Sequence, residues 1–201
     1  MNLLNNSFPL EEETKIIINP GDKKASAAFI LTLSALLNNL NRQTSELIIL
    51  CIGSDRSTGD ALGPLVGTML ENYSAYTSLA AKILGTLPEP VHALNIEQKL
   101  AFINANFASP VIIAIDASLG QKQNIGCIEI GKGGLKPGAA VKKTLPLVGD
   151  LYITGIVNMG GFMEFMVLQS TRLSVVFHLA SFISRGICCT MTNVPWLSNS
   201  L

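Results

Sequence analysis

The chain has 201 residues, 48% of them hydrophobic, and its fourteen basic residues balance its fourteen acidic ones. This length and apolar content suffice for one α/β domain with a full core. A net charge of zero provides no electrostatic footprint for nucleic acid or for an anionic membrane, so neither is predicted as a partner.

The N-terminal part of the chain is predicted to lead into a sheet. Residues 1–13 are polar and acidic, which indicates a flexible arm rather than a signal peptide, whose start is basic and then apolar. An edge strand is predicted over Lys15 to Asn19 and an amphipathic helix over Lys24 to Leu40. The four cysteines lack zinc-site spacing. Together with an N-terminus that does not have the pattern of a signal peptide, they indicate a cytoplasmic, reducing setting.

A buried strand that begins near Ile48 runs into a glycine-containing turn and a helix that opens with Asp60. A phosphate-binding P-loop needs Lys and Ser or Thr after its last glycine, whereas Gly59 is followed by Asp60. Gly53, Gly59 and Gly63 are too far apart for a dinucleotide fingerprint. The turn therefore predicts no nucleotide cofactor. Its carboxylate, whose pKa the helix N-terminus is expected to lower, is either a functional acid or a helix cap.

The next strand is followed by a histidine. A strand is predicted over Lys82 to Thr86, and Asn95 is predicted to cap a helix that continues to about Phe107. His92 lies on the loop between them, where its imidazole could move a proton near neutral pH. The alternative is a histidine that only hydrogen-bonds the turn.

A second acid is predicted at the same edge of the sheet. The apolar, β-branched segment from Pro110 to Ser118 has the pattern of a central parallel strand and ends in Asp116. Because neighbouring parallel strands end at one edge, Asp60 and Asp116 could face each other across a crevice. Two such carboxyl groups can share a proton and supply both a base and an acid. The same pair could instead hold a divalent cation.

The C-terminal elements are predicted as two strands, a loop and a long helix. The strands cover Asn124 to Ile130 and about Val141 to Leu145, with a turn from Gly131 to Gly138 between them; the loop covers Leu147 to Met159 and the helix Gly161 to about Ser184. The apolar helix is interrupted by Glu164, Gln169, Arg172 and His178. A buried helix that covers the sheet is therefore favoured over a membrane span.

Four motifs together resemble the sporulation protein YyaC family. They are Cys51 to Pro64, Pro90 to Asn95, Ile115 to Gly120 and Phe162 to Gln169. That family is similar to the germination protease of bacterial spores and, more remotely, to the hydrogenase maturation proteases. The resemblance implies a single domain with a phosphorylase/hydrolase-like fold, a three-layer α/β/α sandwich with a mainly parallel sheet.

The resemblance also implies an activity, a spore-associated endopeptidase that uses an aspartate pair. The proposed catalytic acids of germination protease lie in its Asp-Ala-Leu-Gly-Pro and Ile-Asp-Ala segments, which match Asp60 and Asp116 here. The residues predicted to contact substrate are Gly53, Ser54, Asp55, Arg56, His92, Asp150 and Thr154. The implied partner is a protein or peptide, with small acid-soluble spore proteins as candidates. The implied location is the cytoplasm of the forespore or the spore core. The oligomeric state is left undecided, with a homo-oligomer as one alternative.

Two other hypotheses remain at this point. Hydrogenase maturation proteases have a histidine after the second acid that helps to bind nickel, but no histidine lies between Asp116 and Gly161. No resident metal or other cofactor is therefore predicted. The endopeptidase is the first hypothesis, and a metal-dependent hydrolase is the third. The second is a non-catalytic sporulation factor that retains the fold as a binding module.

Overall fold

The computed structural model describes residues 15–40, 46–74, 81–137 and 145–191, and these residues form six strands and five α-helices. The elements are β1 (Lys15–Ile18), α1 (Ala25–Asn38), β2 (Leu47–Cys51), α2 (Leu62–Ser74), β3 (Lys82–Leu84), α3 (Ile96–Asn106), β4 (Val111–Gly120), β5 (Ile128–Lys132), β6 (Leu151–Met159), α4 (Glu164–Gln169) and α5 (Leu173–Met191). Short 3-10 turns over Gly59–Ala61 and Lys122–Asn124 precede α2 and β5.

The described strands form one six-stranded sheet in the order β1-β5-β6-β4-β2-β3. Strand β4 pairs in parallel with β2 and with β6, and β2 pairs in parallel with β3. Strand β5 runs antiparallel to both β1 and β6. The sheet is thus mainly parallel, as predicted, and the apolar strands β2 and β4 occupy its interior.

Helices cover both faces of the sheet. On one face α1, α2 and α5 pack on the odd-numbered side chains of β2 and β4, and Phe29 of α1 meets Phe182 of α5 edge-on at 5.9 Å between ring centroids. On the other face α3 contributes the buried Ile96 and Ile103, which belong to a second apolar cluster with Leu50. This arrangement confirms the predicted α/β/α architecture.

The prediction of a loop over Leu147 to Met159 is wrong. Residues Leu151–Met159 form β6, which lies between β4 and β5, and its Ile153 is fully buried. Gly155 interrupts the β-branched pattern that would have marked the strand. A side chain there would lie only 2.5 Å from Leu62 of α2, so the glycine serves close packing of that helix on the sheet.

The single helix predicted from Gly161 to Ser184 is also wrong, because it is two helices with a break at Ser170 to Arg172. At the break the Thr171 hydroxyl donates to the Val167 carbonyl at 2.8 Å, and Asn158 of β6 donates to the Thr171 hydroxyl at 3.1 Å. Side chains thus take over hydrogen bonds that a continuous helix would make with its backbone.

Helix α5 is the one described helix that is long and apolar enough, by length and composition, to cross a membrane. Half of that stretch is buried within the structure, and a core helix of a folded domain meets the same criterion. Its packing on α1 and α2 agrees with the predicted buried helix.

The remaining element predictions differ in their limits or are not described. The strand predicted over Asn124 to Ile130 begins at Ile128, after the 3-10 turn. The strand predicted around Val141 to Leu145 and the arm over residues 1–13 fall largely or wholly outside the described residues.

Candidate active site

A cavity of about 390 Å³ opens at the carboxyl edge of the parallel strands. Its walls come from the turn between β2 and α2, the turn before α3, the middle of β4 at Asp116, and α4. Asp60 and Asp116 both line it, so the structure brings the two acids to one crevice as the topology predicted. His92, Gly53 and Arg56 line the same cavity.

The position of Asp60 depends on close backbone contact with Gly53. Gly53 has a φ of 142°, and a Cβ on it would lie 2.0 Å from the Asp60 carbonyl oxygen. The turn is closed by two hydrogen bonds, from the Ser54 N–H to the Asp60 carbonyl at 3.0 Å and from the Gly53 N–H to the Val91 carbonyl at 2.8 Å. A glycine at position 53 therefore lets the turn fold back on the start of α2 and fixes Asp60 at the cavity.

The pKa of the Asp60 carboxyl is raised above its ordinary value of 3.8 because the group is largely desolvated by burial. A backbone hydrogen bond from Ser54 and the nearby His92 imidazole act in the opposite direction but do not compensate. The sequence predicted that the helix N-terminus lowers this pKa, and that prediction is wrong. Desolvation disfavours the charged form more than the local dipoles favour it.

This raised pKa predicts a pH-dependent effect of Asp60→Asn on stability. The native carboxyl holds its proton to higher pH than the unfolded one, so the free energy of unfolding falls as pH rises above 3.8. Asp60→Asn removes this penalty. The variant should match the wild type in urea unfolding below pH 3.8 and exceed it at pH 7. Asp55→Asn, on the exposed part of the same turn, is the control and should change neither value. A variant that is less stable than the wild type at pH 7 would contradict the prediction.

Asp116 lies on β4, next to β2 on one side and β6 on the other. Only 7% of the residue is exposed, and its Oδ1 accepts a hydrogen bond from the Ala117 N–H at 2.7 Å. The Ile52 N–H donates to the Ile115 carbonyl at 2.7 Å, which joins the end of β2 to the strand that carries Asp116. Strand pairing therefore sets the relation between the second acid and the Asp60 turn.

Asn95 holds the turn before α3, and this turn places His92 in the wall of the cavity. The Asn95 side chain accepts from the His92 N–H at 2.8 Å and donates to the Pro90 carbonyl at 3.0 Å. Asn95 is the residue before α3, as predicted, but its side chain closes the turn instead of capping the helix. His92 Nδ1 accepts from the Leu94 N–H at 3.3 Å. In the neutral ring the proton is then on Nε2, which makes that nitrogen a donor.

Three residues predicted to contact substrate are not in this cavity. Asp55 is exposed on the turn and does not line it. Asp150 lies at the opposite edge of the sheet, where its Oδ2 accepts from the Ile112 N–H at 2.9 Å. Because β6 runs parallel to β4, the residue before β6 lies at the amino edge of the sheet. The sequence predicted a loop instead of β6 and therefore placed Asp150 at the wrong edge. Thr154 pairs with Asp116 but lines a second cavity, together with Tyr152.

Some cavity residues were not predicted. Leu94, Phe165, Gln169 and Ser57 line the cavity. Within the described residues, the Ser57 hydroxyl is a buried oxygen without a hydrogen-bond partner. A signal for Phe165 and Gln169 existed, since both lie in a motif that carries the family resemblance. The predicted continuous helix assigned that motif to the core instead.

The described part of the chain contains no group of three or more His, Cys, Asp or Glu side chains placed to hold a metal ion.

Comparison with known proteins assigns the family. The sequence profile of DUF1256, described as a protein of unknown function, matches residues 17–186, and the chain therefore belongs to this family. The chain is 42% identical over 190 residues to the uncharacterized protein YyaC of Bacillus subtilis, covering 94% of this chain and 90% of that protein. The predicted resemblance to YyaC is thereby confirmed. A similar solved structure is the NiFe hydrogenase maturation protease HycI of Thermococcus kodakarensis, with 17% identity, a TM-score of 0.46, and coverage of 82% of this chain and 99% of that one.

Proposed function

We propose that this member of the DUF1256 family is an endopeptidase that hydrolyses peptide bonds in spore proteins with Asp60 and Asp116 as an acid pair. The observation that carries the proposal is that both aspartates line one cavity of about 390 Å³, a volume typical of small ligand sites. The burial of Asp116 supports it. The raised pKa of Asp60 supports it as well, since an acid with a perturbed pKa in a cleft is frequent at catalytic sites.

The two acids have different roles in the proposed reaction. Asp116 takes a proton from a water molecule as the water oxygen bonds to the carbonyl carbon. Asp60, whose raised pKa favours the protonated form, gives its proton to the amide nitrogen as the carbon–nitrogen bond breaks. His92 Nε2 donates to the carbonyl oxygen while negative charge develops there. Proton exchange with solvent then restores the pair.

The proposed substrate is a protein or peptide, with small acid-soluble spore proteins as candidates, and the proposed location is the cytoplasm of the forespore or the spore core. Nucleic acid and membranes are not partners in this proposal, because the net charge is zero. A homo-oligomer is compatible with it.

The decisive experiment incubates the purified protein with small acid-soluble spore proteins and identifies new termini by mass spectrometry. Cleavage at defined bonds is expected. Intact substrates, in an assay where germination protease cleaves them, would refute this substrate assignment. Failure to cleave a diverse peptide library as well would favour the second hypothesis, a binding module that retains the fold.

Cleavage is expected to be unaffected by a chelator such as EDTA. Two carboxylates and one imidazole offer few protein ligands, and a hard cation bound by them would keep most of its waters and bind weakly. Elemental analysis of the purified protein should show no stoichiometric nickel or zinc. Stoichiometric metal that is lost in His92→Ala, together with EDTA-sensitive cleavage, would make the metal-dependent hydrolase the leading hypothesis.

A further inference from the structure

The cavity that holds the acids also has an apolar wall with two unusually exposed side chains. Leu94 is 81% exposed and Phe165 is 59% exposed, and both line the cavity. Ile52 and Ala93 line it as well. Large apolar side chains that stay exposed beside a cavity with polar groups are typical of ligand sites.

The backbone that carries Leu94 is fixed by the turn described above. The Leu94 N–H donates to His92 Nδ1, and Asn95 closes the same turn onto Pro90. The position of Leu94 is therefore coupled to that of His92, which belongs to the candidate active site.

The backbone that carries Phe165 is fixed by close packing of α4 on the Asp60 turn. A Cβ on Gly59 would lie 2.8 Å from the Leu168 side chain and 2.9 Å from its carbonyl oxygen, so α4 rests directly on the residue before Asp60. Met163, just before α4, adopts a left-handed conformation with a φ of 55°, and the Glu164 side chain accepts from the Gly161 N–H at 3.3 Å. The helix that carries Phe165 is thus fixed against the turn that carries Asp60.

We propose that Leu94 and Phe165 form a subsite for an apolar side chain of the peptide, next to the bond on which Asp60 and Asp116 act. This inference rests on the proposed function and specifies its substrate class, peptides with a large aliphatic or aromatic residue beside the scissile bond. An apolar side chain placed between Leu94 and Phe165 removes apolar surface of all three from water, whereas a charged side chain placed against these two residues would lose hydration.

The charge and shape of the region favour a peptide over a membrane. Glu164 is the one charged residue between Met159 and Thr171, and Arg56 is the one Lys or Arg that lines the cavity, whereas binding to an anionic bilayer requires a cluster of basic residues. Leu94 and Phe165 also line a concave cavity, which suits a single side chain rather than a planar lipid surface.

The test measures binding separately from cleavage. Fluorescein-labelled peptides of Gly, Ser and Ala, with Leu, Phe, Asp or Lys at one central position, are titrated by fluorescence anisotropy against the Asp60→Asn, Asp116→Asn double variant. The Leu and Phe peptides are expected to bind about tenfold more tightly than the Asp and Lys peptides. Adding Phe165→Ala should remove this preference, and Phe165→Leu should largely keep it.

Phe162→Ala provides a matched control. Phe162 precedes α4 by two residues and is 86% exposed, but it does not line the cavity, so its loss should leave the preference unchanged. The absence of any preference, or an equal effect of Phe162→Ala and Phe165→Ala, would overturn the subsite. Binding to phosphatidylcholine–phosphatidylglycerol vesicles that depends on Phe165, without peptide selectivity, would also overturn it. Selective binding without cleavage by the wild type would refute only the peptidase proposal.

Discussion

Asp60→Asn and Asp116→Asn are each expected to lower kcat for peptide cleavage by about a thousandfold, with a much smaller change in KM. An amide cannot act as the base that accepts the proton of water, nor as the acid that protonates the leaving nitrogen. Both aspartates line the same cavity, and an asparagine at either position leaves one of the two proposed proton transfers without its carboxyl group. The measurement is steady-state kinetics on a peptide found to be cleaved, with thermal unfolding of each variant.

Asp55→Asn is the control for this pair. Asp55 lies on the same turn as Asp60 but is exposed and does not line the cavity, so its variant should keep wild-type kcat. If both cavity variants keep their activity and support normal sporulation, the acids are not catalytic and the binding-module hypothesis is favoured. If either variant is unfolded at room temperature, that acid is chiefly structural.

Gly53→Ala is expected to lower the free energy of unfolding by about 3 to 5 kcal/mol, since it combines backbone strain with steric overlap. An alanine at a φ of 142° is strained, and its Cβ would lie 2.0 Å from the Asp60 carbonyl oxygen. For a chain of this size the loss corresponds to a decrease in Tm of about 10 °C. The shift of the turn should also displace Asp60, so that the folded fraction of the variant loses cleavage.

Gly133→Ala separates the two causes. Gly133 has a φ of 100°, but a Cβ there would meet no heavy atom within 4 Å, so only the strain remains. We expect a cost of about 1 kcal/mol and normal cleavage. Equal destabilisation by the two alanines would show that contact with the Asp60 backbone is unimportant, and would contradict our account of how the turn is positioned.

Several features of the fold and site followed from local sequence. The apolar runs of β2 and β4 predicted buried parallel strands, and each leads toward an acid. Because parallel strands end at one edge, the sequence predicts Asp60 and Asp116 at one crevice. The prediction for His92 required only that its loop leave the same edge.

Other features could not be obtained in this way because they depend on contacts between distant segments. Gly155 weakens the strand pattern of β6, and the reason for a glycine there is Leu62 of α2. Because the sequence predicted a loop in place of β6, it also placed Asp150 at the carboxyl edge, whereas Asp150 lies at the amino edge of the sheet. The break between α4 and α5 depends on Asn158, thirteen residues before Thr171.

The sequence by itself determined the order of most elements and the two acids at one edge of the sheet, because these follow from the periodicity of apolar residues and the polarity of parallel strands. The mainly parallel sheet was implied by the family resemblance. Only the tertiary structure decided the ionisation of Asp60 and the apolar wall beside it. The helix start alone favours a charged carboxylate, but burial by the elements around the turn outweighs that local effect and raises the pKa. Phe165 reaches the cavity because α4 packs on Gly59, a contact between residues more than a hundred positions apart in the chain.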